Sequence, residues 1–171
     1  MVKSIRVNSE YEALIRNISG SSDAKSDASF DNSETRIFPN RYQLIRFAGA
    51  LGFRLEKREA MKKDNFLVIE QSLLEGKSFK DLVTDINLIA VLEKNDEELL
   101  DTDPENIQEN LNMRFEIYLE FVNAGLNQVN KWINKGPIQG HVKIIEGLRK
   151  KKFIPNNKKE KSSLSDNPFK K

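Results

Sequence analysis

Residues 38–53 read FPNRYQLIRFAGALGF and carry the clearest helix signal in the chain. Pro39 lacks the amide hydrogen that a helix interior needs, so it marks an element boundary. Asn40 can cap the helix that follows, and Gln43 stands three residues later, as in a capping box. Apolar residues then recur at helical spacing, as Leu44, Ile45, Ala48 and Leu51, with Phe47 at the margin. The stretch therefore predicts an amphipathic helix.

Small residues interrupt the large apolar ones in this helix. Ala48, Gly49 and Ala50 follow one another, although a glycine costs a helix about 1 kcal/mol relative to alanine. We expect another element to pack closely against this point, because close packing would compensate for that cost. Gly52 then suits the left-handed position that follows a helix end.

The amino-terminal segment predicts a strand followed by a helix. Residues 3–8, KSIRVN, alternate, which places Ile5 and Val7 on one face and Ser4, Arg6 and Asn8 on the other. A helical repeat comes next, formed by Tyr11, Leu14, Ile15 and Ile18.

The rest of the chain is dominated by helical patterns. Alternation at 66–70 allows one more short strand, and 79–96 predicts a helix whose inner side includes Leu92. The stripe in 105–123 begins at Ile107 and continues towards residue 136. Gly125 interrupts it, either between two helices or at a tight contact. The last amphipathic helix is predicted at 141–153.

These elements predict a mainly α fold. It is a compact multi-helix domain with at most a short strand or hairpin near the N-terminus and around 66–70. The predicted organisation is a strand-helix segment at 1–19, a flexible Ser- and Asp-rich loop at 20–35, a helical domain at 36–153 and a disordered basic tail at 154–171.

Charge is divided unevenly along the 171 residues. From Arg149 onward there are nine Lys or Arg and two acids, a net charge of +7, and the preceding residues carry −5. Such a tail suits a polyanion or an acidic partner, although it can also act only to keep the protein soluble. The candidate contacts to the DNA backbone are Lys150, Lys151, Lys152, Lys158 and Lys159, and their binding would be independent of sequence and steeply salt-dependent.

Composition excludes some chemistry and some locations. The chain has no cysteine, so disulfides, thiolate metal sites and a cysteine nucleophile are excluded. The first residues hold no long apolar run, and LIAVL at 88–92 is too short to span a bilayer. We therefore expect a cytoplasmic protein without a membrane contact.

The supply of catalytic groups is small. His141 is the only histidine and stands at the start of a predicted helix, where a surface or capping role is the ordinary one. Asp101, Asp103 and Glu105 could hold a hard cation, but acids before a helix also stabilise its positive end. No phosphate-binding glycine motif occurs. We expect no enzymatic activity, no cofactor and no metal, and a metal-dependent nuclease is the weakest alternative.

A second route to DNA lies at the amino end. The order strand, helix, loop, helix is similar to that of ribbon-helix-helix regulators, in which paired strands of a dimer enter the major groove. Arg6 would then read base edges together with Ser4 and Asn8. The connection at 20–35 is much longer than the tight turn of that class, so a strand that only edges a small sheet is the alternative.

Two blocks of the sequence also resemble a known family. RYQLIRFAGALGFRLEKRE at 41–59 and FEIYLEFVNAGLNQVNKWI at 115–133 are similar to blocks of the DNA phosphorothioation-associated protein 4 family, small accessory proteins of Dnd-type systems. INLIAVLEKNDEELL at 86–100 lies where the family has an apolar helix and a polar turn. The chain departs at Gly49, where the family tends to Ala, and at Asn123-Ala124, where it tends to Asn-Gly.

The resemblance implies a setting rather than a catalytic residue. Dnd systems replace a non-bridging phosphate oxygen of DNA with sulfur, and a companion restriction module attacks unmodified DNA such as that of phage. The implied function is that of a non-catalytic accessory protein of such a modification and restriction system, acting through the system's other proteins with weak DNA affinity. The alternative is a dimeric DNA-binding regulator, and the oligomeric state stays open.

Overall fold

The computed structural model describes residues 4–20, 36–62, 66–70, 77–100, 105–134 and 140–155. Five helices and two strands are seen there: β1 (Ser4–Asn8), α1 (Glu12–Ile18), α2 (Arg41–Arg54), β2 (Phe66–Glu70), α3 (Lys77–Lys94), α4 (Ile107–Ile133) and α5 (Gly140–Lys150). The predicted class, a mainly α domain with a short amino-terminal strand, is confirmed.

Helix α2 begins as its sequence predicts. The Asn40 side chain caps it by accepting a hydrogen bond from the Gln43 backbone amide at 3.0 Å. Leu44, Ile45 and Ala48 are fully buried. The small residues also have the predicted role, because Gly49 lies against the ring of Tyr118 on α4.

Helix α4 is continuous through Gly125. A Cβ atom at Gly125 would lie 1.9 Å from the carbonyl oxygen of Ala48, so the glycine marks the crossing of α4 with α2. Of the two alternatives that the sequence left open, the structure therefore selects the tight contact.

The predicted role of Gly52 is wrong. It lies inside α2, and a Cβ there would come 2.0 Å from the carbonyl oxygen of Phe121, so its absence lets α4 approach. The left-handed residue is Glu56, with φ of 54°. The Glu56 amide donates to Phe53 O at 2.9 Å and the Lys57 amide to Gly52 O at 3.1 Å, which is a Schellman motif.

The two strands form an antiparallel sheet. Ile5 pairs with Ile69 and Val7 with Leu67, and both β1 side chains are buried in the core. Asn8, predicted to face outward, is instead completely buried. The reason is a set of polar contacts made across the fold, which a strand's alternation does not reveal.

Two predicted core positions are exposed. Leu92 is 56% exposed near the end of α3, and Ile107 is 42% exposed at the first residue of α4. Leu92 lies one turn after the equally exposed Leu88, on the outer side of α3, whereas Ile107 is exposed at the first residue of α4.

Helix α5 packs on the last turns of α4. Gly147 lies under the indole of Trp132, where a Cβ would come 2.3 Å from the ring. The Lys143 ammonium donates to the carbonyl oxygen of Ile133 at 2.9 Å. The two helices are therefore held by both apolar and polar contacts.

Some predictions lie outside the residues that the structure describes. They include nearly all of the 20–35 loop, most of the 154–171 tail, and Asp101 and Asp103. The domain boundaries stay a prediction, although the segment 1–19 and the residues from 36 onward contribute to the same core. None of the helices in the described ranges is long and apolar enough to cross a membrane.

Candidate functional site

The end of α5 holds the three predicted DNA-contacting lysines that the structure describes. Lys150, Lys151 and Lys152 are all exposed. Lys152 takes a left-handed conformation with φ of 59°. Its amide donates to Arg149 O at 2.9 Å and the Phe153 amide to Leu148 O at 2.9 Å, which is a second Schellman motif. The chain direction after the lysines is thus fixed by hydrogen bonds.

The ends of α2 and α5 meet at this point. The guanidinium of Arg54, the last residue of α2, stands 5.4 Å from the ring centroid of Phe153. We call Arg54, Lys150, Lys151 and Lys152 the basic end. Four exposed cations on two helix ends can attract a polyanion, although cations in a last turn also stabilise the helix dipole. Lys158 and Lys159 lie outside the described residues.

Arg6 belongs to a different part of the molecule. It is exposed on β1, whose end is fixed to α4 by a hydrogen bond of 3.0 Å from the Asn8 amide to Asn123 Oδ1. The α5 helix packs nine residues further along α4, at Trp132, which corresponds to roughly 14 Å of helix axis. The structure therefore anchors Arg6 and the basic end at separate points of α4.

The strand that carries Arg6 is paired within its own chain. β1 pairs with β2 through five residue pairs, whereas a ribbon-helix-helix regulator pairs this strand with a second copy. Asn8 is buried, so it is not part of an outward-facing set with Arg6. This geometry does not favour the regulator alternative.

A polar cluster that the sequence did not predict is centred on Glu59. Its Oε1 accepts from the Tyr11 hydroxyl at 2.6 Å and from Asn8 Nδ2 at 3.2 Å, and its Oε2 accepts from Asn127 Nδ2 at 2.7 Å. We call these four residues the Glu59 hub. Burial and the Glu59 carboxylate raise the pKa of Tyr11, so its hydroxyl stays protonated and donates. The hub joins β1, the segment after α2, and α4.

The neighbouring Arg58 has a similar linking role. It forms ion pairs with Glu93 at 3.1 Å and Glu120 at 2.6 Å, and its guanidinium lies 5.8 Å from the Phe121 ring centroid. By sequence alone, the highly charged run 54–64 indicates a surface connection, and whether Arg54, Lys57 and Arg58 are solvated or form a contact surface is open. Arg58 and Glu59 fasten this segment to α3 and α4.

The candidate catalytic groups do not converge in the described part of the chain. His141 is exposed in the first turn of α5, and Glu105 is exposed before α4. Within the same residues, no three His, Cys, Asp or Glu side chains are grouped so that they could hold a metal ion.

These elements define a mostly helical domain with an exposed cationic end. The sequence model described as DNA sulphur modification system-associated protein 4 matches residues 5–167. The chain therefore belongs to this family, which confirms the resemblance carried by its two sequence blocks. No match was found among curated proteins or among solved structures.

Proposed function

We propose that the chain is a non-catalytic accessory protein of a Dnd-type DNA modification and restriction system that acts in phage defence. It works by binding other proteins of the system, and its basic end adds weak affinity for the DNA backbone. The observation that carries the proposal is the family membership over residues 5–167.

The use that the fold makes of its acids supports a non-catalytic role. Arg46 of α2 forms ion pairs with Asp85 at 2.5 Å and Asp81 at 3.3 Å, which joins α2 to α3. Glu59 accepts three hydrogen bonds within its hub. These carboxylate oxygens are engaged in contacts that hold the elements together. A catalytic base needs an oxygen that is available to accept a proton, so these acids are poorly suited to that role.

The basic end supports the DNA-binding part. Lysines contact phosphates as point charges and carry little base information, so the expected binding is independent of sequence. We propose that Lys150, Lys151 and Lys152 contribute together with Lys158 and Lys159 of the tail. Arg6 is proposed as a separate contact, because it lies on another part of the fold.

The first experiment tests the partner. The tagged full-length chain is expressed with the complete modification and restriction system, and the copurifying proteins are identified by mass spectrometry. We expect stoichiometric capture of at least one protein of the system. Capture of none of them would overturn the accessory role.

The second experiment tests DNA binding by fluorescence anisotropy with a duplex of arbitrary sequence over a range of salt concentrations. Replacing Lys150, Lys151 and Lys152 by Gln should lower the affinity equally for all duplexes. The slope of log K against log salt should fall by about 0.9 for each phosphate that the variant no longer neutralises. The matched control replaces three exposed lysines elsewhere, Lys80, Lys94 and Lys131.

Other results would favour the alternatives. A preference for one duplex sequence that is lost in Arg6→Ala would support a regulator. Cutting of DNA that needs added magnesium and is lost in Asp103→Ala would contradict the non-catalytic proposal. Equal loss of affinity in the control triple would show that the basic end is no distinct DNA-binding surface.

A further inference from the structure

Two arginines at the end of α2 and just after it each lie over an aromatic ring. The guanidinium of Arg54 stands 5.4 Å from the ring centroid of Phe153. That of Arg58 stands 5.8 Å from the ring centroid of Phe121. Both distances lie within the range, up to about 6 Å, in which the face of a ring attracts a cation. Each ring therefore restricts the positions that its guanidinium takes.

The two arginines differ in what their N–H groups meet. Arg58 donates from Nε to Glu120 at 2.6 Å and from Nη1 to Glu93 at 3.1 Å. The side chain of Arg54 is exposed and forms no hydrogen bond or ion pair with the residues that the structure describes. The N–H groups of Arg58 are thus occupied within the fold, whereas those of Arg54 are available to an acceptor from outside.

Phe153 is a fixed platform for Arg54. Its amide donates to Leu148 O at 2.9 Å in the Schellman motif that ends α5. Its ring is half-buried and packs against the hydrophobic core. An arginine held on such a ring has already lost part of its side-chain freedom, so less entropy is lost when a ligand binds.

The charges around this pair are mainly positive. The lysines at 150–152 are exposed, and Arg149, half-buried before them, has a buried Nε without an acceptor in the described part of the chain. The acids next to these cations along the chain are Glu56, two residues after Arg54, and Glu146, one turn before the lysines. Both acids are exposed, and neither forms an ion pair with Arg54 or the lysines. The site therefore favours an anion.

DNA fits this surface better than an acidic protein segment does. Among the large apolar side chains of α2 and α5 in the described ranges, only Ile145 is exposed. A protein interface has an apolar centre, whereas a contact to a nucleic-acid backbone is made by several cations at once.

We propose that Arg54, held on the ring of Phe153, is the binding site for one phosphodiester group of DNA. Two N–H groups of its guanidinium donate to the two non-bridging oxygens of that phosphate, and the ring covers one face of the guanidinium. The lysines at 150–152 add point charges around this contact. The inference rests on the proposed function and assigns a named, positioned contact to its DNA-binding part.

The test measures the affinity of the full-length chain for a duplex of arbitrary sequence at low salt, by fluorescence anisotropy. Arg54→Lys keeps the charge but removes the planar fork, so it should weaken binding about fivefold. Phe153→Leu keeps the charge and an apolar side chain but removes the ring, so it should weaken binding about threefold. Phe153→Tyr keeps the ring and should bind as the parent does.

A double-mutant cycle tests whether the two residues act as a unit. If Phe153 acts by holding Arg54, then Arg54→Lys should weaken binding clearly less in the Phe153→Leu background than in the parent chain. The slope of log K against log salt should stay unchanged in Arg54→Lys, because the number of neutralised phosphates is the same. A purely structural role of Arg54 would produce neither result.

Arg58→Lys is the matched control. Arg58 has the same kind of ring contact but donates to two carboxylates, so the affinity for DNA should not change. The melting temperature of each variant shows whether the native fold is retained. If Phe153→Leu unfolds, Arg54→Lys at its exposed position still decides the question.

Three results would overturn the phosphate site. They are an unchanged affinity in Arg54→Lys, an equal loss in Arg58→Lys, and loss of a copurifying system protein in Arg54→Lys without loss of DNA affinity. In each case, DNA binding that still depends on the lysines at 150–152 leaves the proposed function standing. A parent chain that binds no duplex at low salt would remove the DNA-binding part of the proposed function itself.

Discussion

Gly125 and Ala48 meet so closely that a Cβ atom on Gly125 would lie 1.9 Å from the Ala48 carbonyl oxygen. The backbones of α4 and α2 therefore touch at their crossing, without side chains between them. Gly52 makes the reciprocal contact, because a Cβ there would lie 2.0 Å from Phe121 O. The two glycines set how close the two helices lie.

Gly125→Ala should destabilise the protein by about 1 to 3 kcal/mol, because the new methyl group meets backbone that cannot move alone. The gain in helix propensity, about 1 kcal/mol, offsets part of the loss. Gly49→Ala is the comparison, since its Cβ would meet the Tyr118 ring at 2.7 Å, and a ring can shift. Urea unfolding of both variants measures the difference, and an equal loss would contradict this account of the crossing.

The helix α2 and its close contact could be predicted because the signals are local. Capping by Asn40, helical spacing and a run of small residues all lie within one stretch. The role of Gly52 could not be predicted, because a glycine near a helix end serves equally as a left-handed cap or as a gap for another backbone. Phe121, which decides between them, is far away in the chain.

The candidate site was predictable to a smaller extent. The lysines at 150–152 are candidates from charge alone, and the structure places them exposed at the end of α5. The burial of Asn8 could not be predicted, because alternation along a strand says nothing about the polar groups from elsewhere in the chain that pack on it. The Glu59 hub depends on tertiary contacts, for which this sequence has no short-range signal.

Glu56→Gly should stabilise the protein by about 0.5 to 1 kcal/mol. Glu56 has φ of 54°, a conformation that costs a residue with a side chain roughly 1 to 2 kcal/mol. Glycine avoids this cost, but part of the gain is lost because glycine makes the unfolded chain more flexible. Lys57→Gly is the control, because Lys57 stands outside the positive-φ residues and should lose stability. Denaturant midpoints compare the two, and a destabilised Glu56→Gly would show that the Glu56 side chain has another role.

Glu59→Gln should destabilise the fold by about 2 kcal/mol. A carboxylate accepts on both oxygens, whereas an amide presents N–H groups on one side, so Asn127 or the pair of Tyr11 and Asn8 loses its acceptor. The exposed Glu56→Gln is the matched control and should change stability by less than about 0.5 kcal/mol. Thermal unfolding at neutral pH measures both, and equal melting temperatures would mean that the hub contributes no stability.

Tyr118→Phe should make the protein less sensitive to alkaline pH. Burial raises the pKa of Tyr118 far above that of an unfolded tyrosine, which is about 10. The protonated Tyr118 therefore contributes its full stability below pH 10. Above that pH only the unfolded chain releases the proton, so the free energy of unfolding falls by about 1.4 kcal/mol per pH unit.

The Tyr118→Phe variant loses one long hydrogen bond, 3.5 Å to Ile45 O, so its stability at pH 8 should be close to that of the parent. Urea unfolding between pH 8 and 11 should show a shallower decline for the variant, since Tyr11 and Tyr42, whose pKa values are also raised by burial, still contribute. Parallel curves for the two proteins would show that Tyr118 ionises as readily in the folded state as in the unfolded one.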